Sequence, residues 1–403
     1  MKTLVKNKKG WIAAFYLAAT IVLYILPYTK FTLPYIFMAL AMLVSVPLLM
    51  LENTKKLNYM LLLLVVSLLF AIRCGFFPDY RIADAINEGI RNIRFFLPAF
   101  WGVYALQKMD KKQSAVVLIV FSLLVVYIFI NTLVALEKDP EIARLLARSV
   151  ENSSEELNAY RLANVGGFGF SYMMGMVALC LLWLFFIKKN WWIKIGSLIL
   201  YLAIVYYAFQ SQYTTLILLT LIGSIVLLFV CNKNFAFRVI LIVVGIIVLL
   251  NIVNIFRGLS NAFGDSIIGV KFQRIVNSFG TGDIDNLGSR PRLIRENFEV
   301  WLRNPVFGAY SKEANAHSLI MNILSQMGFV GIGLFGFLFY KVYRFVLNEA
   351  KKYQYGRSLF NCATAYLLAL SILNPIGYVF EVTIATYLVV CLFIKVFLKK
   401  TVE

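Results

Sequence analysis

The sequence predicts an all-α protein that crosses a membrane many times, and three observations support this fold class. Hydrophobic residues make up 61% of the 403 residues, and charged residues make up only 15%. The mean hydropathy is +0.79, whereas a soluble domain has about a quarter of its residues charged. The apolar residues also form continuous runs, which favours spanning helices over the alternating strands of a barrel.

About 20 apolar residues are needed for one helix to cross a bilayer core, and a scan at that length gives about twelve predicted spans. They cover residues 11–26, 31–51, 57–77, 93–107, 113–136, 165–187, 191–209, 213–231, 236–256, 318–340, 358–374 and 379–398. The first and fourth are short, and only the Asn374-Pro375 break separates the last two. We expect residues 1–403 to form a single integral membrane domain.

Basic residues are concentrated in every second connection between these spans. With a cytoplasmic N-terminus, the inner segments hold 22 Lys and Arg against four Asp and Glu, which accounts for nearly all of the net charge of +19. This positive-inside pattern predicts that both termini are cytoplasmic. The charge is therefore an orientation signal, and a nucleic-acid partner is not expected.

Three longer segments face outward in this topology, namely residues 78–92, 137–164 and 257–317. The first is predicted to be an amphipathic helix lying at the membrane surface, with Ile82 and Ile86 on one side and Asp84 and Glu88 opposite. The third is a large loop that precedes the last three spans, and loops of that length are usually functional or disordered.

Neither a metal site nor a disulfide framework is indicated. The five cysteines lie in or near apolar runs without ligand spacing, and the chain has one histidine. Walker, HExxH and Gly-x-Ser-x-Gly motifs are not found in the sequence. We therefore expect no metal and no cofactor.

The end of the large loop carries the most chemistry. A helix is predicted from near Pro291 to a stop before Asn304-Pro305. Phe307-Gly308 should then turn the chain, and Ala316-His317-Ser318 should enter the next span. That predicted helix carries a stripe of charged side chains, and the span after it carries glycines expected to permit close helix packing. The stripe is Arg292, Arg295, Glu299 and Arg303, and the glycines are Gly328, Gly331, Gly333 and Gly336.

Several guanidinium groups and one imidazole are thus predicted at the outer mouth of a helical bundle. Arginine binds phosphate oxygens with two parallel hydrogen bonds. An imidazole that titrates near pH 6.5 can act as a general base at neutral pH. This combination favours a phosphorylated lipid presented from outside as the substrate.

These residues resemble the C-terminal motif of the O-antigen polymerase and ligase superfamily. The resemblance lies in Ser289-Arg290, Trp301, Pro305, Gly308, Ala316-His317, Gly328 and Gly331, and in the large loop before the last three spans. It implies a GT-C-like glycosyltransferase of the bacterial inner (plasma) membrane, with its active side periplasmic or extracellular. The implied substrate is an oligosaccharide linked to undecaprenyl pyrophosphate.

The resemblance implies that His317 deprotonates the acceptor sugar and that Arg290 binds the pyrophosphate. The chain departs from the family at Ser318, where Asn is usual, and at Gln210-Ser211-Gln212, where Ser-Arg is common. Arg161, ahead of a glycine-rich helix start, is the predicted substitute for the second arginine. Arg295 and Arg73 are further candidate pyrophosphate ligands, and Arg73 is included because an arginine within a span suggests a partner or polar cavity.

Each of these residues also has a simpler interpretation, as a polar group at a helix start or a charge that reaches the lipid headgroups. Three functions stay open. The first is a Wzy-type polymerase, which would work with a flippase and a chain-length regulator. The second is a ligase that joins polymer to the lipid A-core. The third, from another class, is a transporter or flippase of lipid-linked sugars.

Overall fold

The computed structural model describes most of the chain, with gaps concentrated in the loops. The described residues are 2–32, 54–76, 82–142, 145–146, 155–211, 213–231, 235–266, 269–270, 272–273, 276–277, 289–309, 318–376 and 379–401. All regular structure in these ranges is helical apart from one isolated bridge between Tyr353 and Lys400. The predicted all-α class is therefore confirmed.

The helices are numbered here in chain order. They are α1 (Lys2–Ile25), α2 (Pro27–Thr32), α3 (Thr54–Gly75), α4 (Ile82–Lys108), α5 (Lys111–Lys138), α6 (Glu155–Leu162), α7 (Phe168–Ile187), α8 (Trp191–Gln210), α9 (Thr214–Cys231), α10 (Phe235–Leu250), α11 (Ile252–Phe263), α12 (Ser289–Arg303), α13 (Leu319–Ala350), α14 (Gly356–Leu373) and α15 (Phe380–Phe397).

Seven helices in the described ranges are long and apolar enough to cross a membrane, namely α3, α5, α7, α8, α13, α14 and α15. Each coincides with a predicted span. Helices α1 and α9 contain shorter apolar stretches, and the predicted span 31–51 lies almost entirely outside the described residues. The chain is a membrane protein of helical type, and the total of twelve spans stays a prediction.

The last helix forms the centre of the bundle. Every residue of α15 from Phe380 to Ile394 is buried, and the helix contains a π-helical stretch at Ile384–Val389. It packs on α4, α5, α7 and α14. A Cβ added at Gly102 of α4 would lie 2.2 Å from the Tyr387 carbonyl oxygen, so the two backbones touch because this residue has no side chain.

Basic side chains gather at one end of the bundle. The Lys395 ammonium donates to the Leu106 carbonyl at 2.9 Å, and Lys188 donates to the Phe397 carbonyl at 2.7 Å. At the same end, Asp110 caps α5 by accepting from the Gln113 N–H. The helix ends that the sequence assigns to the cytoplasm therefore lie together.

The structure corrects four details of the predicted layout. Helix α4 begins at Ile82, so the predicted surface helix is the first part of a longer helix in which Ile82 and Ile86 are exposed and Glu88 is buried. The span predicted at 236–256 is divided between α10 and α11. Helix α13 extends to Ala350, ten residues beyond its prediction. Gly333 and Gly336 face open space, with nothing within 4 Å of an added Cβ, so they mediate no helix packing among the residues that the structure describes.

Candidate functional site

Helix α13 is interrupted at Gly328, where φ is +63° and ψ is −160°. A break in a helix leaves backbone N–H and C=O groups without their usual partners. Here the turn formed by residues 304–309 supplies the replacements. The Phe329 N–H donates to the Pro305 carbonyl at 2.9 Å, the Val330 N–H donates to the Val306 carbonyl at 3.1 Å, and the Ala309 N–H donates to the Ser325 carbonyl at 2.9 Å.

Two glycines make this insertion sterically possible. Gly308 has φ +72°, and a Cβ there would lie 2.3 Å from the Gln326 carbonyl carbon. A Cβ at Gly328 would lie 2.4 Å from the Val306 carbonyl oxygen. Both residues therefore have a positive φ and a close backbone contact, and only glycine accommodates this combination without strain. The predicted turn at Phe307-Gly308 is confirmed.

Helix α12 is fixed to α13 through buried polar and aromatic contacts. The Ser325 hydroxyl donates to the Asn297 side-chain oxygen at 2.9 Å, and both residues are fully buried. Four residues further along each helix, the Trp301 ring meets Phe329 edge-on, and its Nε1 donates to the Pro305 carbonyl at 3.1 Å. The predicted stop before Asn304-Pro305 is confirmed, since α12 ends at Arg303, whereas the helix begins at Ser289, two residues before the predicted first position at Pro291.

These two contacts show that α12 and α13 run in the same direction, side by side. Arg290 and Ser318 each lie seven residues before the Asn297–Ser325 hydrogen bond, a distance of roughly 10 Å along either helix. If the two helices stay side by side over these seven residues, the start of α12 lies near the level of the start of α13. The side chain of Arg290 lies outside the described part of the structure, as does all of His317.

The start of α13 is anchored to the neighbouring helix. Ser318 caps α13 by accepting from the Met321 N–H at 3.3 Å, and the Leu319 N–H donates to the Asn374 carbonyl at 3.1 Å. Ser318 stands where the resembled family has asparagine, and a serine performs the capping role well. The residue that follows His317 is thus held between α13 and the end of α14.

Arg73 contacts the 304–309 turn. Its Nε and Nη2 donate to the Phe307 carbonyl at 3.2 and 3.1 Å, and Nη2 also donates to the Gly308 carbonyl at 3.0 Å. The sequence predicted a partner or a polar cavity for this arginine. The structure shows that it binds the peptide carbonyl groups of Phe307 and Gly308. Arg73 joins the end of α3 to the segment that interrupts α13.

Arg295 lies on the exposed side of α12. Its Nε donates to the Glu299 carboxylate at 3.0 Å, and the two side chains are 81% and 56% exposed. A pair this exposed is worth little energetically. Arg295 and Glu299 are four residues apart, as in an ordinary ion pair on a helix surface. Both lie on the exposed side of α12, whereas Asn297 is buried.

Arg161 lies on a different element. It is half-buried in α6, and its Nη1 donates to the Asn158 side-chain oxygen at 3.0 Å. Asn164, two residues after α6, has φ +60°, and its side-chain oxygen accepts from the Tyr28 N–H at 2.9 Å. Among the described contacts, none joins Arg161 to α12 or to the 304–309 turn.

Sequence reasoning missed a buried charged group on α4. Glu88 and Arg91 form an ion pair inside the bundle, with Nη1 of the arginine 2.9 Å from the carboxylate and both residues over 90% buried. A second buried carboxylate, that of Glu381, lies against Gly169 in the first turn of α7. The spacing Glu88-x-x-Arg91 at a span edge was the available signal.

Metal ligation finds no support in the described ranges, where no group of three His, Cys, Asp or Glu side chains could hold an ion. The expectation that the protein works without a metal or cofactor stays a prediction. No protein-family model matches the chain, and no curated protein matches it. The likeness to the O-antigen polymerase and ligase superfamily therefore rests on the motif residues themselves.

Proposed function

We propose that this protein polymerises surface polysaccharide. It would transfer a glycan from undecaprenyl pyrophosphate to a hydroxyl group on a lipid-linked repeat unit. The observation that supports the proposal is the packing of α12 on α13 through the Asn297–Ser325 hydrogen bond, which lies seven residues after Arg290 on one helix and seven residues after Ser318, the residue that follows His317, on the other. Residues of a loose sequence motif thus belong to one packed unit that includes Trp301 and Gly328.

In this mechanism the acceptor hydroxyl attacks the anomeric carbon of the donor sugar. The new glycosidic bond forms as the bond from that carbon to the pyrophosphate oxygen breaks, and undecaprenyl pyrophosphate leaves with inversion at the carbon. The imidazole of His317 takes the hydroxyl proton, while Arg290 and Arg161 stabilise the charge on the leaving pyrophosphate. Arg73 and Arg295 have a smaller part in this proposal, since they bind peptide carbonyls and Glu299 respectively.

The proposal includes a GT-C-like arrangement of about twelve spans in a bacterial inner membrane. Both termini are cytoplasmic and residues 257–317 lie on the periplasmic or extracellular side. The position of Lys188 and Lys395 at one end of the bundle supports it, because positive-inside orientation requires basic helix ends on a common face. Single cysteines at Lys352 and at Arg257, in a cysteine-free chain, would test it. Only the second should react with a membrane-impermeant maleimide in intact spheroplasts.

The break in α13 argues against a transport mechanism. In secondary transporters, broken helices leave backbone groups that bind the substrate or the coupling ion. Here the groups freed at Gly328 are bonded to Pro305, Val306 and Ala309 of the same chain. The break therefore holds the loop helix in place.

The decisive experiment uses purified protein in detergent with radiolabelled lipid-linked repeat units, extracted from cells that lack the gene. Chain growth without any second protein is expected. His317→Ala and Arg290→Lys should each reduce it by about a hundredfold or more. Arg257→Lys is the matched control, because Arg257 lies in the same predicted external segment and its Nη1 donates to the Asn254 side-chain oxygen at 3.3 Å, within its own helix.

Three results would contradict the proposal or redirect it. Normal chain length with a correctly inserted His317→Ala variant would exclude the assigned base. A gene deletion that leaves long polymer on the carrier lipid would indicate a ligase, since loss of a polymerase leaves single repeat units. Movement of labelled lipid across vesicles without chain growth would indicate a flippase.

A further inference from the structure

The connection between α13 and α14 lies at the basic end of the bundle and is joined to the C-terminal segment. The Gln354 N–H donates to the Lys399 carbonyl at 3.0 Å, and the Thr401 N–H and hydroxyl both donate to the Lys352 carbonyl, at 2.9 and 2.7 Å. A short bridge between Tyr353 and Lys400 completes the junction. Residues 352–354 and 399–401, which are far apart in sequence, thus form one rigid structure, and we call it the rim.

This rim surrounds a cavity of about 590 Å³. Its lining includes three cationic side chains, Lys351, Lys352 and Arg357, together with the hydroxyl groups of Ser358 and Thr401. The described residues of this lining include no acidic side chain. Glu349 pairs with Lys352 at 3.0 Å from one side, while Lys351 and Arg357 are exposed. The lining therefore carries more positive charge than the carboxylate of Glu349 can neutralise.

The electrostatics of this end of the bundle agree with that imbalance. Burial lowers the pKa of Lys188, and the nearby charges of Lys111 and Lys399 lower it further. Lys399 is also the residue that bonds to the cavity rim through its carbonyl group. Lys188, Lys111 and Lys399 therefore stand close enough to disfavour one another's charge at this end of the bundle.

Membrane orientation alone does not require this arrangement. Lysines scattered over the loops would produce the same positive-inside signal, whereas these cations line one concave surface together with the Ser358 hydroxyl. The arginine fork and the lysine ammonium groups suit phosphate oxygens. Because the cavity lies between the end of α13 and the start of α14, it is at the level where spanning helices leave the hydrocarbon core.

We propose that this cavity binds the phosphate group of an anionic phospholipid of the leaflet on that side. Lys351 and Arg357 supply the main attraction, and the Ser358 hydroxyl donates a hydrogen bond to a phosphate oxygen. Free inorganic phosphate shares this chemistry and is the competing source. The site is independent of the polymerase proposal, since it lies at the opposite end of the bundle from α12.

Native mass spectrometry of the purified full chain would test the proposal, with phosphatidylglycerol, phosphatidylcholine and inorganic phosphate as separate titrants. Phosphatidylglycerol should bind and phosphatidylcholine should not. The double variant K351Q/R357Q should bind phosphatidylglycerol about twenty-five-fold more weakly, since each cation removed costs about fivefold. K341Q/R344Q is the matched control, because it removes the same charge from α13 at positions that contact Phe337 and Tyr340.

An equal loss of lipid binding in both double variants would indicate diffuse surface attraction and overturn the site. Unchanged binding in K351Q/R357Q would do the same. Cavity-dependent binding of inorganic phosphate with no binding of phosphatidylglycerol would overturn the lipid assignment. Matching thermal unfolding of the two variants shows that any difference in binding is not a folding defect.

Discussion

The Ser325 hydroxyl donates to the side-chain oxygen of Asn297 at 2.9 Å, in a position where neither residue is accessible to solvent. This hydrogen bond joins a helix of the large loop to a membrane-spanning helix. Since it sets the register of α12 on α13, it also determines how far Arg290 stands from Ser318. The loop helix is therefore part of the bundle rather than a mobile appendage.

Ser325→Ala should lower the stability of the protein by about 1–3 kcal/mol, because it leaves the buried Asn297 oxygen without this donor. Thermal unfolding in detergent would measure the effect. Ser122→Ala is the control, since Ser122 bonds to its own helix at Leu118 and is exposed. A double-mutant cycle with Asn297→Ala should show that the two changes together cost less than their sum. Strict additivity would contradict the proposed coupling.

Arg73→Lys separates two roles for this arginine. If it holds the 304–309 turn, lysine cannot reproduce the hydrogen bonds to both Phe307 and Gly308, and stability should fall by on the order of 1–2 kcal/mol. Trypsin cleavage at Arg303, beside the turn, should also become faster. A raised KM for the lipid-linked donor, with unchanged unfolding temperature, would instead assign Arg73 to the pyrophosphate.

Gly328→Ala should destabilise the protein by about 3 kcal/mol or more. Its φ and ψ are accessible almost only to glycine, and the new methyl group would meet the Val306 carbonyl. Gly333→Ala is the matched control on the same helix, where the added methyl group meets nothing within 4 Å. That variant should be neutral or gain about 0.5–1 kcal/mol. Similar unfolding temperatures for the two variants would show that the break is not required.

The sequence was informative where single residues restrict the backbone. Pro291 and Asn304-Pro305 predict the bounds of α12, and Gly308 predicts the turn, because each effect is local. The break at Gly328 could not be predicted in this way. A glycine in an apolar run indicates close helix packing. The unusual conformation of Gly328 is required by the close approach of Val306, which lies 22 positions earlier in the sequence.

The candidate site shows the same division. The sequence indicates which arginines are present, but their partners depend on contacts between distant segments. Arg73 lies 234 residues from Phe307, whose carbonyl it binds. The inward orientation of Glu88 was also hidden, because an amphipathic pattern defines two faces without showing which one the bundle covers.

The buried pair of Glu88 and Arg91 offers a final prediction. Arg91→Met leaves a carboxylate inside the bundle without its arginine, and removing one partner of a buried pair costs about 3–5 kcal/mol. Glu88→Gln should be comparably harmful. The double variant Glu88→Gln/Arg91→Met should recover much of the loss, because no charge of the pair is then left buried. Thermal unfolding of the three variants in detergent would measure this. A double variant worse than either single change would show that the charges are needed for a further interaction at this end of the bundle.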